Sequence, residues 1–357
     1  LLDADASITA VIAGDDIARA GASPALLELA EALGAPIWVE GLRAQAVAPS
    51  AHPLMRGALP LEAGQIARAL HGADCLLLVG GPFFEEVWFD DASPFPPGAA
   101  ILQIEESGER LAQNYPLDLG MIAGVGPALA ALAKAVTPDR TAAKARVAAM
   151  AALKIEASAA QRARVARAAA RRPMAMSVAM TTLGDALPAN AILVEEAITA
   201  NLDFARSINI AGTGSYYSGR GGGIGQGLAG AIGVAVAAPN RPVVCVSGDG
   251  SAMYSIQALW TAAHHDLNIV FVILANREYR VLKHNIDAYR ARFAVESNRG
   301  YAHMDLVTPA LGFVEMATGM GVQAERVTEP EAFAAALARA FAAKGPALIE
   351  VAIEGKA

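Results

Sequence analysis

Short apolar runs that end at glycine or a polar turn alternate with alanine- and leucine-rich stretches along most of the chain. The first run covers residues 9–13, ends at Gly14 and is followed by the helix-forming stretch 23–33. A short run of continuous apolar residues is typical of a parallel strand that is buried on both faces. Repeated alternation of such strands with helices predicts an α/β protein built from doubly wound parallel sheets.

The length of the chain predicts more than one such sheet. A chain of 357 residues exceeds what one hydrophobic core usually supports. An alanine- and arginine-rich stretch, residues 137–172, almost lacks β-branched residues and predicts a solvated helical linker. We therefore expect an α/β domain over residues 1–136 and a second over residues 173–357. The predicted strands cover residues 9–13, 36–40, 75–79 and 99–104 in the first domain, and 191–195, 241–246, 269–274 and 348–353 in the second.

Composition argues against several classes of function. The formal net charge of −7 leaves no basic footprint for nucleic acid. No apolar stretch reaches the roughly 18 residues that a membrane helix needs, and no signal peptide is visible, so we expect a cytoplasmic protein. Cys75 and Cys245 each lie in an apolar run, which predicts buried core residues rather than a disulfide or a metal site.

Polar residues with suitable chemistry follow two successive predicted strands of the second domain. Gly248, Asp249, Gly250 and Ser251 end one strand, and Asn276 follows the next, 27 residues after Asp249. Ligands of parallel sheets bind at the carboxyl ends of the strands. A carboxylate and an amide oxygen suit Mg²⁺, and flanking glycines allow a diphosphate to approach the backbone. Taken alone, however, Asp-Gly is an ordinary turn dipeptide.

The stretch GDGSAMYSIQALWTAAHHDLNIVFVILANREY, beginning at Gly248, resembles the diphosphate-binding motif of thiamine diphosphate enzymes. Together with the upstream sequence Gly214-Ser-Tyr-Tyr, it is most similar to the benzoylformate decarboxylase branch of the 2-oxo acid decarboxylase family. The resemblance implies that residues 1–136 are the family's central domain and residues 173–357 its diphosphate-binding domain. It also implies thiamine diphosphate and Mg²⁺ as cofactors.

The resemblance also implies roles for individual residues, assigned by their positions in the motif. Asp249, Asn276 and the backbone carbonyl of Glu278 would bind the metal. A bulky apolar residue, Ile224, would bend the cofactor from within a glycine-rich loop, although that loop could also be a flexible linker. The remaining residues implied to contact the cofactor are Thr199, Gly222, Gly223, Gly248, Gly250 and Ser251.

The same resemblance implies a substrate pocket formed by Val281, Leu282, His284 and Asn285, with His284 as the candidate catalytic residue. Two departures leave the reaction open. The family's usual first asparagine at the metal site is Ala275 here, and its active-site histidine after the third strand has no counterpart in residues 81–91.

Three functions are consistent with these residues. The first is non-oxidative decarboxylation of a benzoylformate-like 2-oxo acid to an aldehyde and CO₂, by an intact homodimer or homotetramer. The second is a carboligase of the acetolactate synthase type, and the third a subunit that binds cofactor without catalysis. The chain begins at Leu1 without a methionine, and no pyrimidine-binding domain is visible. We therefore expect a truncated chain that is inactive by itself.

Overall fold

The computed structural model describes residues 9–84, 91–297 and 299–355. It divides into two compact units. The first consists of Leu1–Ala159, Asn209–Tyr216 and Arg220–Gly222, and the second of Ala160–Ile208, Tyr217–Gly219 and Gly223–Ala357. Each unit contains a six-stranded sheet, which confirms the predicted fold class.

The first unit is built around parallel strands in the order β3-β2-β1-β4-β5-β6. Its two central strands, β1 and β4, are buried along their whole length because they are the continuous apolar runs of the sequence. Its elements are β1 (Thr9–Ala13), α1 (Asp16–Arg19), α2 (Ser23–Leu33), β2 (Ile37–Val39), β3 (Met55–Ala58), α3 (Ala63–Ala69), β4 (Cys75–Val79), β5 (Ala100–Glu105), β6 (Leu119–Ile122) and α4 (Val125–Ala135).

The residues that follow β1 and β4 in this first sheet are in close contact. Gly14 and Gly80 approach so closely that a β-carbon on Gly14 would lie 2.1 Å from the Gly80 carbonyl oxygen. Arg110 bridges two acidic side chains beside them, with 2.6 Å from Nη2 to Asp16 Oδ2 and 3.3 Å to Glu105 Oε2. Glycine at position 14 is therefore required by backbone contact.

A long helix, α5 (Arg140–Ala168), lies within the predicted linker. Among its residues only Ala143 is buried, as expected for a solvated helix. The division between the two units falls inside this helix, after Ala159. The predicted domain boundaries at residues 136 and 172 stay predictions.

The second unit has the strand order β11-β12-β10-β9-β7-β8. Its central strands β9 and β10 pair in parallel. Its elements are α6 (Met176–Ala186), β7 (Ile192–Glu196), a 3₁₀ turn (Ile198–Ala200), α7 (Asn201–Ser207), β8 (Tyr216–Ser218), α8 (Gln226–Ala237), β9 (Val243–Gly248), α9 (Asp249–Ala252), α10 (Ala258–His264), β10 (Ile269–Ala275), α11 (Arg280–Arg292), α12 (Phe313–Gly319), β11 (Gln323–Val327), α13 (Pro330–Ala342) and β12 (Ala347–Ala352). A second 3₁₀ turn, Arg220–Gly222, precedes α8.

The sequence did not predict the strands β3, β6, β8 and β11, and all four lie at sheet edges. An edge strand pairs on one side only and needs no continuous apolar run; all four residues of β6 are exposed. Both cysteines are buried and free, as predicted. None of the helices in the described parts of the chain has the length and hydropathy that a membrane crossing needs.

One lysine of α5 ties a loop of the first unit to the helix. The Nζ atom of Lys154 donates to the carbonyl oxygens of Ser50 at 2.5 Å, His52 at 2.6 Å and Met55 at 3.0 Å. Burial lowers the pKa of this lysine. The three carbonyl groups therefore offset a desolvated charge and hold the loop that leads into β3.

We predict that Lys154→Met lowers the free energy of unfolding by about 1–3 kcal/mol, because three carbonyl groups lose their donor. Thermal and urea unfolding would measure the loss. Lys144→Met is the matched control, since Lys144 is exposed on the same helix. Equal stability of the two variants would contradict a structural role for Lys154.

Candidate functional site

The carboxyl ends of β9 and β10 lie side by side. In their register Gly248 pairs with Leu274, so the residues that follow each strand meet at the same edge of the sheet. Asp249 begins the single-turn helix α9, and Asn276 follows β10 directly. The structure thus brings together the two side chains that the sequence predicted as metal ligands.

Asp249 is a buried carboxylate, only 3% exposed. Its Oδ1 accepts the Gly250 N–H at 2.8 Å, and its Oδ2 accepts the Arg277 N–H at 2.6 Å. Burial raises the pKa of Asp249 to about 6, although these backbone hydrogen bonds oppose the rise. Each carboxylate oxygen keeps a further lone pair, so the group is suited to bind a cation.

The loop after β10 has an unusual backbone conformation. Arg277 has a φ of 59°, in the left-handed region that non-glycine residues rarely adopt. In this conformation its N–H donates to Asp249. The Asn276 side-chain oxygen accepts the Glu278 N–H at 3.0 Å, which closes a turn at the predicted metal loop.

The side chain of Glu278 is held away from any metal role. Its carboxylate pairs with Lys283 at 2.5 Å and with Arg280 at 3.4 Å. Lys283 also pairs with Asp305 at 2.6 Å, and Glu278 forms an antiparallel bridge with Asp305. The predicted metal ligand is the backbone carbonyl of Glu278. The ion pairs of the Glu278 side chain with Arg280 and Lys283 do not involve that carbonyl.

Ion pairs and backbone hydrogen bonds join the loop after β10 to a later segment of the chain. The Tyr279 N–H donates to the Met304 carbonyl at 2.8 Å, and the Leu306 N–H donates to the Arg277 carbonyl at 2.8 Å. The sequence does not predict this cluster of ion pairs, because no motif spacing connects Lys283 with Asp305. The Lys283 ion pairs join Glu278 to Asp305 beside these backbone hydrogen bonds.

The glycines beside Asp249 play different steric roles. A β-carbon on Gly250 would lie 2.7 Å from the Tyr279 ring, so this glycine permits close packing. A β-carbon on Gly248 would meet no atom within 4 Å among the described residues. There is therefore open space next to the carboxylate, where the sequence predicted a diphosphate. Ser251 is half-buried in the turn that follows.

The helix α9 is short. The structure has one turn, Asp249–Ala252, and the next helix begins at Ala258. The Gly250 N–H is already used by Asp249.

Two other segments lie near the ends of β7 and α8. Thr199 is half-buried in the 3₁₀ turn after β7. Gly223 and Ile224 directly precede α8, and a β-carbon on Gly225 would lie 2.7 Å from Tyr254 Cβ. Gly222 groups with the first unit. Their cofactor roles stay predictions.

The predicted pocket residues all lie on α11. Val281, His284 and Asn285 are spaced to share one helix face, and Leu282 lies beside them. Leu282 and His284 are exposed, and α11 lies against the 3₁₀ turn that contains Thr199. Their role at a substrate stays a prediction. Of the segment 81–91, residues 85–90 lie outside the described residues.

Family models match both halves of the chain. Residues 4–132 match the central domain of thiamine pyrophosphate enzymes. Residues 197–351 match the C-terminal thiamine pyrophosphate binding domain of the same enzymes. The chain belongs to the thiamine pyrophosphate enzymes. The family resemblance inferred from the sequence is therefore confirmed.

Individual relatives include both reaction types considered above. A benzoylformate decarboxylase of Pseudomonas aeruginosa is 31% identical over 342 residues, which cover 96% of this chain and 60% of the relative. A Mycobacterium tuberculosis protein provisionally named as an acetolactate synthase large subunit is 40% identical over 178 residues, covering 49% of this chain and 34% of the relative. The chain thus spans less than two thirds of each relative.

A solved structure agrees with the fold. The thiamine diphosphate-dependent 4-hydroxybenzoylformate decarboxylase of Rhodococcus jostii RHA1 superposes with a TM-score of 0.81 at 27% identity. The superposition covers 98% of this chain and 62% of that one.

Thiamine diphosphate is the cofactor of this family, and Mg²⁺ is its usual partner metal. The donor set fits that metal, because a carboxylate, an amide oxygen and a backbone carbonyl are the ligand types that Mg²⁺ takes. Among the described residues no three His, Cys, Asp or Glu side chains form a cluster. The candidate site instead has Asp249 as its one carboxylate ligand. A β-carbon at Gly248 would meet no described atom within 4 Å, so no side chain or backbone crowds this position.

We predict opposite effects on stability for two substitutions of Arg277. Arg277→Gly relieves the left-handed strain and raises the free energy of unfolding by up to about 1 kcal/mol. Arg277→Val places a β-branched residue at positive φ and lowers it by about 1–3 kcal/mol. Urea unfolding of both variants measures the difference. A valine variant as stable as the glycine variant would mean that the loop is not held in this conformation.

Proposed function

We propose that this chain forms the magnesium- and diphosphate-binding part of an enzyme that decarboxylates a benzoylformate-like 2-oxo acid to an aldehyde and CO₂. The observation that carries the proposal is the buried Asp249 carboxylate beside Asn276, at the ends of two adjacent parallel strands. A homodimeric or homotetrameric assembly and a cytoplasmic location are part of the proposal.

Different residues of the chain would bind the metal and support the cofactor. Asp249, Asn276 and the Glu278 carbonyl would hold Mg²⁺, which in turn would bind the diphosphate. Ile224 would support the bent form of the cofactor. When bound, thiamine diphosphate supplies a cationic ring that accepts the electron pair left by the departing CO₂.

The substrate class rests on two kinds of support. Two relatives that align over nearly the whole chain are named for benzoylformate and 4-hydroxybenzoylformate. The proposed pocket face of α11 offers the apolar Val281 and Leu282, which suit an aryl group, beside His284 and Asn285. We propose that His284, an exposed imidazole, exchanges a proton with the substrate.

An acetolactate synthase-type carboligase is the second candidate. It is favoured by the Mycobacterium tuberculosis relative, whose identity of 40% exceeds that of the Pseudomonas decarboxylase. That alignment covers only half of the chain. Cofactor chemistry is common to both candidates, so the two differ in the substrate and product and not in the metal site.

Binding of the cofactor is the direct test of the site. We predict that the purified chain binds thiamine diphosphate only when Mg²⁺ is present, and that Asp249→Ala reduces this binding by about a hundredfold or more, because the metal loses its anionic ligand. Calorimetric titration with and without Mg²⁺ measures both effects. Asp185→Ala, at an exposed position on α6, is the control. Unchanged magnesium-dependent binding by Asp249→Ala would disprove the assignment.

The reaction type is tested by product analysis. The protein is supplied with thiamine diphosphate and Mg²⁺ and incubated separately with benzoylformate and with pyruvate. We expect any turnover to give benzaldehyde from benzoylformate and no acetolactate from pyruvate. Acetolactate would favour the carboligase, and cofactor binding without either product is the result expected of a chain that is inactive by itself.

A further inference from the structure

A second buried carboxylate lies at the end of β7, the strand next to β9. Glu196 is 6% exposed, and its Oε1 accepts the N–H of Gln226 at 2.7 Å. Gln226 is the first residue of α8. The preceding residue, Gly225, has no side chain that could cap the helix. Glu196 therefore supplies, from a different strand, the acceptor that an N-cap residue normally supplies.

The fit between Glu196 and α8 depends on Gly227. A β-carbon at Gly227 would lie 2.8 Å from Glu196 Cβ and 3.0 Å from its Oε2. Any larger residue at this position would push the carboxylate away from the helix. The glycine and the glutamate thus form a matched pair, and the positive end of the α8 dipole favours a carboxylate here.

Capping α8 with Glu196 requires the burial of a carboxylate. Its Oε2 is buried and makes no hydrogen bond among the described residues. Burial raises the pKa of Glu196, although the N–H groups at the start of α8 oppose the rise. Gly225, at the N-cap, has a φ of 95°, and a β-carbon there would lie 2.7 Å from Tyr254 Cβ, so a serine could not supply the acceptor from this position. The acceptor must therefore come from elsewhere in the fold, and Glu196 supplies it.

The residue that Glu196 holds, Gln226, also contacts the loop before α8. The Gln226 side chain donates to the Gly223 carbonyl at 3.2 Å, while its backbone N–H is held by Glu196. On the other side of Ile224, Gly225 lies against Tyr254. Ile224 is thus flanked by two fixed points, and one of them depends on Glu196.

We propose that Glu196 is a positioning residue for the cofactor: it fixes the first turn of α8 and, through Gln226, the loop that presents Ile224. This inference rests on the proposed function, because Ile224 has its role only if the chain binds thiamine diphosphate. The observed contact of Glu196 is with the first turn of α8.

Two substitutions and a matched control test the proposal. Glu196→Ala removes the acceptor, whereas Glu196→Gln keeps an oxygen for the Gln226 N–H. Glu350→Ala is the control, because Glu350 is also a buried glutamate of this unit whose Oε2 lacks a hydrogen bond among the described residues. It lies on β12, where it pairs with Arg326.

Two measurements are made on each variant. Hydrogen exchange without cofactor reports the order of residues 219–230, and calorimetry reports the affinity for thiamine diphosphate with Mg²⁺. We expect Glu196→Ala to speed exchange in this segment and to weaken affinity about tenfold or more, as the loss of a hydrogen bond to a charged acceptor predicts. Glu196→Gln restores both to within about threefold, and Glu350→Ala changes neither.

The outcomes separate this inference from the proposed function. Unchanged exchange in Glu196→Ala, or an equal loss of affinity in Glu350→Ala, would overturn the positioning role. Wild-type protein that binds no thiamine diphosphate with Mg²⁺ would contradict the proposed function, and the exchange data would still show whether Glu196 orders the loop.

Discussion

The arrangement of the second unit depends on one costly feature, the burial of the Asp249 carboxylate at the end of β9. A buried carboxylate without a cation is unfavourable, and its raised pKa is the measure of that cost. Two backbone N–H groups compensate in part, and one of them requires the left-handed conformation of Arg277. The geometry around Asp249 therefore follows from holding a buried negative charge at the end of β9.

The surrounding contacts serve to make that geometry rigid. The Glu278–Lys283–Asp305 ion pairs fix the far side of the loop after β10. Glu196 fixes the amino end of α8. The described contacts of these charged side chains do not involve the side chains of Asp249 or Asn276. The charged side chains of Glu278, Lys283 and Glu196 contact the loop after β10 and the start of α8. Among the proposed metal ligands, only Asp249 would contribute a charged group.

How far the sequence predicts this structure depends on burial. Central strands such as β4 and β10 were predicted because buried parallel strands require continuous apolar residues. The edge strands β3 and β6 were missed because they pair on one side only, and α11 was missed because none of its residues is buried. At the candidate site, Asp249 and Asn276 were predicted because a motif follows the ends of their strands. Glu196 and Lys283 were not, since each acts through partners that only the fold brings near, such as Gln226, 30 residues away along the chain.

The two sheets of this chain differ in what their carboxyl ends can accept. In the first sheet, the order β3-β2-β1-β4-β5-β6 places the switch in winding direction between β1 and β4, where α/β proteins commonly bind dinucleotides. Here Gly14 lies against Gly80, and Arg110 is already engaged by Asp16 and Glu105. Among the described residues at this edge, a phosphate would meet the carboxylates of Asp16 and Glu105 beside the Gly14–Gly80 contact. The first unit thus has the strand order of a dinucleotide-binding sheet, while its own side chains lie at the edge where such a sheet binds its ligand.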